Sequence, residues 1–382
     1  MNTSLLSVGA KPLAGDAELD AAMQSQVLLS NALLFLLIAG MAGSCDAILL
    51  KNKFTTEWKG IVAGVISQYG ILPFLGFLSL KIFPQDPVIM ITLLVVCTSP
   101  GGGFSGWWCS LANADLALSI AMTSASTLVC TVLLPLNVWL YSQAVTPGMA
   151  VDMAWDKLFI SVIVVMCAVL FGSTTSYYMG EWLSGTQSIS AAAVRQGMNT
   201  LGSIAGVCLM IFGGASNASS DTPLWENDTD WFICVGSPCL LGLASAVMLA
   251  FNLGLRKEAA TAVAIECCYQ NTGLALTIAL SAVPPDKVGM ASGVPIFYGI
   301  VEIFCVPTCA TSLITCTLTR ARTLPACAHA AVRSAPVPLK SMHRQRTAHP
   351  WPAHLESLDS PWAHCVLSCA CGVEAWVDVC PD

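Results

Sequence analysis

The 382-residue sequence predicts an all-α polytopic membrane protein with nine transmembrane helices. Three observations carry that expectation. The chain is 55% hydrophobic, only 10% of it is charged, and its mean hydropathy is +0.71. Its apolar residues also gather in runs long enough for a hydrocarbon core of about 30 Å, which takes roughly 20 residues of helix.

The first span, 27–50, follows an acidic segment holding Asp16, Glu18 and Asp20 and stops before Lys51 and Lys53. The second, 60–81, lies between Lys59 and Lys81, and the third, 87–109, begins at a proline after Asp86 and contains "CTSPGGGF". The fourth and fifth, 114–142 and 157–179, are separated by a Pro-Gly stretch. The sixth, 188–213, contains Arg195 and leads into the acidic loop "GASNASSDTPLWENDTD". The seventh, 231–254, ends before Arg256 and Lys257, the eighth, 258–282, carries "ECCYQNTGLAL", and the ninth, 289–318, carries Glu302. Residues 1–26 form an N-terminal segment, 27–318 the membrane domain, and 319–382 a tail rich in Ala, Pro, His and Ser whose lack of apolar periodicity predicts disorder.

The basic residues orient the chain, because Lys and Arg collect on the cytoplasmic side. An outer N-terminus places twelve of the sixteen inside, including Lys51, Lys53, Lys59, Arg195, Arg256 and Lys257, and leaves Lys11, Lys81, Lys157 and Lys287 outside. The sequons at Asn2, Asn217 and Asn227 then all lie outside, either as glycosylation acceptors or as unmodified polar loops. The acidic, arginine-free N-terminus matches neither a cleaved signal nor an organellar transit peptide. An integral plasma-membrane protein with a cytoplasmic C-terminus is expected.

Thirteen of the eighteen cysteines precede residue 318, most of them within spans, where Cys acts as a small apolar residue. Cys234 and Cys239 are candidates to pair near the outer face, and "HCVLSCACG" in the tail has a loose metal-like spacing without a second ligand pair. All five histidines lie in the tail, so histidine-dependent membrane metalloprotease, Ser-His and haem arrangements are excluded from the membrane domain, and no enzyme is expected. No metal beyond an alkali cation and no nucleic acid is expected as partner, and a homo-oligomer is left open.

Two features interrupt the apolar runs. A proline and three glycines at mid-bilayer free backbone groups that lipid does not satisfy, so they mark either a packing kink or an unwound segment that is buried or lines a cavity. Unwound segments of this kind coordinate small cations in secondary transporters. Glu266 and Glu302 are buried acids without a basic residue deep in any span, and Gln270 lies one helical turn after Glu266 on the same face, beside Asn271. An ionised acid in a bilayer asks for a cation, while a protonated, hydrogen-bonded carboxyl is the alternative.

The stretch "SPGGGFSGWWCSLANADLALSIAMTSASTLVCTVLLPLNVWLYS" resembles the signature region of the bile acid:sodium symporter family. "QYGILPF" at 68–74, "ECCYQNTGLALTI", "VPPDKVG" and "PIFYGIVE" are similar to further motifs of that family in the same order. The resemblance implies two inverted repeats with crossed broken helices, the first helix of repeat one missing, so that nine spans remain. The third and eighth spans are then the broken helices. The second, third, fourth, seventh, eighth and ninth form a core domain, and the first, fifth and sixth a panel domain.

The resemblance further implies sodium-coupled symport of a small organic anion, of the bile acid, steroid sulfate or related carboxylate class, by alternating access, with sodium as the coupling ion and no other cofactor. Ser105, Ser119, Thr123 and Glu266 match one sodium site, and Gln68, Glu266 and Gln270 a second; Asn271 and Trp107 are candidates for the substrate cavity. Ser119 and Thr123, four apart, share a helix face, and their hydroxyls are the hard donors an alkali cation prefers. Where the family commonly has Asn after the matching serine, this chain has Gly106. That departure keeps open a non-transporting receptor or scaffold with the same fold.

Overall fold

The computed structural model describes residues 14–44, 47–145, 155–184, 191–220 and 222–305. Asn2, the end of the expected ninth span and the whole tail with its Cys-His stretch lie outside the described residues. Among the described residues every regular element is a helix. In chain order these are α1 (Ala14–Ser44), α2 (Ala47–Thr56), α3 (Trp58–Ile66), a π turn (Ser67–Ile71), α4 (Leu72–Ile82), α5 (Pro87–Thr98), α6 (Ser105–Leu111), α7 (Leu116–Val145), α8 (Trp155–Ser184), α9 (Ala191–Ala218), α10 (Thr229–Asn252), α11 (Lys257–Cys268), α12 (Thr272–Ala282) and α13 (Val288–Cys305).

Among the described residues seven stretches are long and apolar enough to cross a membrane: Gln24–Ser44, Trp58–Ile82, α7, Asp156–Tyr178, Ala193–Ala218, α10 and α13. α1 begins at Ala14, well ahead of the expected start at residue 27, because "AGDAELDAAMQ" is rich in strong helix formers although it is too polar for hydrocarbon. The two remaining apolar regions are each divided in two. Ser99–Phe104 separates α5 from α6, and Tyr269–Asn271 separates α11 from α12.

Local signals set several helix ends. Asp86 caps α5 by accepting from the Val88 amide at 2.9 Å, with Pro87 at the first helical position, where its missing N–H has no cost. Asp228 caps α10 through the Trp231 amide at 2.8 Å. That helix ends where Gly254 takes φ +69, a left-handed conformation that glycine adopts freely, and Leu255 N–H returns to the Ala250 carbonyl at 3.1 Å.

Packing sorts the helices into two groups. α1, α8 and α9 pack chiefly on one another, and a Cβ built on Gly40 would stand 2.5 Å from the Gly202 Cα. The α1–α9 contact is therefore backbone on backbone, which brings dispersion and weak Cα–H contacts that a larger residue would forfeit. In the other group α10 packs on α4 and α11, and α5 on α7. Ser79 on α4 donates to the Cys234 carbonyl at 2.8 Å, and Trp231 and Phe232 stack against Phe297 of α13 with centroids 5.4 and 5.0 Å away. Cys234 and Cys239 are both free and buried; the nearest sulfur recorded for Cys239 is Cys268 Sγ at 3.3 Å. Asn217, a sequon position, is only 3% exposed. Its amide donates to the Gly289 carbonyl and accepts from Leu224 N–H, so the folded chain presents no free amide there for a glycan.

Charges lie where the helices end. Lys53 pairs with Asp115 at 2.6 Å, Arg256 with Glu57 at 2.6 Å and with Asp115 at 3.7 Å, and Lys287 with Asp86 at 3.2 Å. Burial alone would raise the Asp115 carboxyl, but the Lys53 hydrogen bond, the Leu118 amide and the charges of Lys53 and Arg256 outweigh it and hold it below its ordinary value. A lowered folded pKa means that this stabilisation is present above the unfolded value of about 3.9 and is lost as the pH falls through the folded value. Asp115→Asn is expected to cost about 1 kcal/mol at neutral pH. It should also flatten the dependence of melting temperature on pH below about 4, as read by thermal unfolding in detergent.

Candidate functional site

The two interrupted regions cross and hydrogen-bond to each other. Gly102 N–H donates to the Tyr269 carbonyl at 2.8 Å and Asn271 N–H to the Pro100 carbonyl at 2.8 Å, which joins Gly101 and Gln270 in an antiparallel bridge. Gly101 N–H reaches Ser126 Oγ at 3.4 Å, and Gln270 N–H reaches Glu302 Oε1 at 2.7 Å. Four amides at the crossing, those of Gly101, Gly102, Gln270 and Asn271, thus have protein partners, which is what unwound backbone at this depth requires.

Glycine is required for so close a crossing. A Cβ on Gly101 would run into Glu266 Oε1, and one on Gly102 would stand 2.5 Å from the Gln270 carbonyl oxygen. Sequence reasoning placed the break but left its partner unmeasured. It is the residue pair 101 and 270 that meets.

Glu266 sits beneath the crossing, fully buried, two residues before the end of α11. Ser119 Oγ donates to its Oε2 at 2.9 Å, Thr123 Oγ1 bonds to its Oε1, and Ser105, 1% exposed, lines the same cavity as those two residues. Four of the expected residues therefore form one cluster of oxygen donors around one carboxylate. Glu266 and Glu302 are the charged side chains buried among the described residues.

Two other expected residues, Gln68 and Gln270, are buried near the same crossing. Gln68 is fully buried and donates through Nε2 to the Glu266 carbonyl at 2.8 Å, while Gln270 donates through Nε2 to the Cys267 carbonyl at 2.6 Å. The amide oxygens of both, Gln68 Oε1 and Gln270 Oε1, are buried without a hydrogen-bond partner. An orphaned buried acceptor is costly, and two of them beside a carboxylate fit an oxygen-ligated cation.

The π turn explains how Gln68 gets there. Pro73 lacks the N–H that a regular helix would direct at the Tyr69 carbonyl; that carbonyl instead accepts from Asn137 Nδ2 at 3.1 Å, and Tyr69 OH donates to the Ser126 carbonyl at 2.6 Å. The extra residue in the turn carries Gln68 toward Glu266.

Two cavities flank the unwound Gly102–Phe104 segment. One of about 680 Å³ is lined by Ser105, Ser119 and Thr123 on one side and by Arg195, Asn199 and Ser203 of α9 on the other. The second, of about 640 Å³, is lined by Val207, Met210 and Ile211 of α9, by Ile300 and Ile303 of α13, and by Asn271. Phe104 and Trp107 border both. Trp107 is 57% exposed, so it lines cavity rather than filling the core. Asn271 caps α12 through the Leu274 amide at 2.9 Å, and its Nδ2 is buried without a partner.

The chain is similar to known proteins. Residues 32–170 match the model of the Sodium Bile acid symporter family. Similarity to its curated members runs further along the chain. An ileal sodium/bile acid cotransporter of Cricetulus griseus is 25% identical over 309 residues, 79% of this chain and 85% of its own. A hepatic sodium/bile acid cotransporter of Homo sapiens is 28% identical over 64% of this chain and 68% of its own, and a sodium-dependent organic anion transporter of Homo sapiens is 21% identical over 72% and 70%. With seven helical stretches of bilayer length among the described residues, and with transporters as its relatives, the chain is an integral multi-pass membrane protein.

The family model and the relatives agree with the resemblance read from motifs, while three contributors to the candidate site lay outside the sequence reading. Ser126 was missed, although its spacing of three from Thr123 puts both on one face of α7. The α9 row Arg195, Asn199, Ser203 was missed as a row, although its four-residue spacing was a usable signal. Tyr69 gave no signal at all, since a Tyr in an apolar run reads as packing.

Proposed function

We propose that the chain is a sodium-coupled symporter of amphipathic organic anions, working by alternating access. The observation that carries the reading is the crossing of two unwound segments over a buried Glu266 ringed by Ser105, Ser119 and Thr123 hydroxyls, open to a cavity on the same side. One sodium ion is held by that cluster and a second by Gln68 and Gln270 with Glu266. The interrupted regions at 87–111 and 257–282 are the third and eighth of nine spans in two inverted repeats, with α1, α8 and α9 as the panel. The N-terminus is outside, residues 319–382 are cytoplasmic, and the protein resides in the plasma membrane.

α9 supports the substrate class. Along one face it presents Arg195, Asn199 and Ser203 to the polar cavity, then Val207 and Met210 to the apolar one, a row at nearly constant spacing. A ligand with an anionic head and a hydrocarbon body fits that order, its head beside the cation cluster. The relatives' names, which include bile acids and organic anions, agree in kind. Inward movement of one net charge yields about 2.3 kcal/mol per 100 mV, and that drives uptake.

Gly106 supports the rival reading of a silent scaffold least where space is concerned. A Cβ there meets only Leu116 Cδ1 at 3.4 Å, so the position borders open cavity, where a water or carbonyl oxygen completes the first site. Uptake of a panel of radiolabelled bile acids, steroid sulfates and smaller carboxylates, compared in sodium and potassium, tests the proposal. A sodium-dependent excess is expected for at least one of them. Gln270→Ala should raise the half-saturating sodium concentration about tenfold, the size of one lost oxygen ligand of about 1.4 kcal/mol. Equal uptake of every compound in both salts would leave the scaffold.

A further inference from the structure

We propose that Glu302 is a positioning residue of the cation site, acting through the Gln270 amide; this rests on the reading of Gln270 as a cation ligand. Glu302 lies on α13, 1% exposed, and its Oε1 accepts from Gln270 N–H at 2.7 Å. In an uninterrupted helix that N–H would donate to the Glu266 carbonyl, four residues back. Here the last such bond before the break runs from Tyr269 N–H to the Ile265 carbonyl at 2.8 Å. The Glu266 carbonyl instead accepts from Gln68 Nε2 at 2.8 Å.

One helical hydrogen bond has thus been exchanged for two side-chain bonds, Gln68 to the carbonyl and Glu302 to the amide, and both are needed to keep the pair apart. Without Glu302 the Gln270 amide would be a buried donor with no acceptor, and rewinding α11 by one residue would be its cheapest remedy. Rewinding would break the Gln68 contact, withdraw the Tyr269 carbonyl from Gly102 and turn Gln270 Oε1 to another bearing. Glu302 therefore sets where the Gln270 oxygen stands without itself touching the ion. What is required of it is an acceptor oxygen at that point, and glutamine supplies one as well as glutamate does.

The test is a sodium titration of the purified full chain in detergent, read as melting temperature at constant ionic strength with potassium as the balancing cation. It compares wild type, Glu302→Gln and Glu302→Leu. Glu302→Gln is expected to half-saturate within about threefold of wild type, and Glu302→Leu at least about tenfold higher, a displacement that loss of packing alone would not cause because it would lower the melting temperature equally in both salts. A wild-type titration in the leucine variant, or an equally large loss in the glutamine variant, overturns the proposal. Should the leucine variant fail to fold, the glutamine variant decides alone: within threefold supports the role, tenfold loss refutes it. Absence of any sodium response in the wild type would instead overturn the cation-site reading, and with it this one.

Discussion

Glu266→Gln is expected to abolish sodium-stimulated uptake while leaving the protein folded. The substitution keeps the shape and most of the packing of a side chain that is fully buried beneath the crossing. It removes the charge. Ser119 and Thr123 would then face an amide of which one end donates, so one of the two hydroxyl bonds must turn around or be lost. Removing one partner of a buried charge pair costs about 3–5 kcal/mol, which corresponds to roughly two to three and a half orders of magnitude in cation affinity. At any accessible sodium concentration the cluster would be empty. Uptake measured in sodium should fall to the value measured in potassium, and the sodium-dependent rise in melting temperature should vanish with it. A glutamine variant that retained either response would show that the carboxylate is a protonated packing group.

Gly101→Ala should have an effect of the same order by a different route. The added methyl group would overlap Glu266 Oε1, approach Glu266 Cδ to 2.8 Å and reach Gln68 Nε2 at 3.1 Å. None of these atoms moves cheaply, because the carboxylate is held by hydroxyls of α7 and the Gln68 amide by a backbone carbonyl. Gly101 cannot retreat either, since its neighbours Pro100 and Gly102 are bonded to Asn271 and Tyr269. Overpacking costs of about 1–3 kcal/mol follow, concentrated at the cation cluster and the crossing. Sodium-dependent uptake is expected to drop at least about tenfold. Gly70→Ala serves as the control, because a Cβ there meets nothing within 4 Å, and it should transport normally. Equal behaviour of the two alanine variants would mean that the crossing is looser than the contacts describe.

Much of the site was legible because its residues carry costs that are visible without coordinates. A proline and three glycines in an apolar run, or a glutamate with no basic residue at its depth, are unusual enough to demand a reason. Ser119 and Thr123 were legible through the family resemblance, with which their spacing of four on one helix agrees. What was not legible belongs to partners remote in sequence. Nothing in "VISQYGILPF" says that its helix takes a π turn, or that Gln68 will meet a carbonyl 198 positions away. Asn217 reads as a sequon in a polar loop, and only the fold shows that its amide is already used by Gly289 and Leu224.

By itself, then, the sequence determined the solvent of the chain, the places where helices are long and the places where one must break. These follow from local quantities: apolar run length, propensity, and the backbone demands of Pro and Gly. Only the tertiary structure decided that the two breaks satisfy each other's amides, that Glu266 collects the Ser119 and Thr123 hydroxyls of α7, and that Glu302 takes the amide released at Gln270. The reason is that hydrocarbon leaves no unpaired polar group unpunished but does not say which partner must answer it. That choice is made by the close packing of helices far apart in the chain.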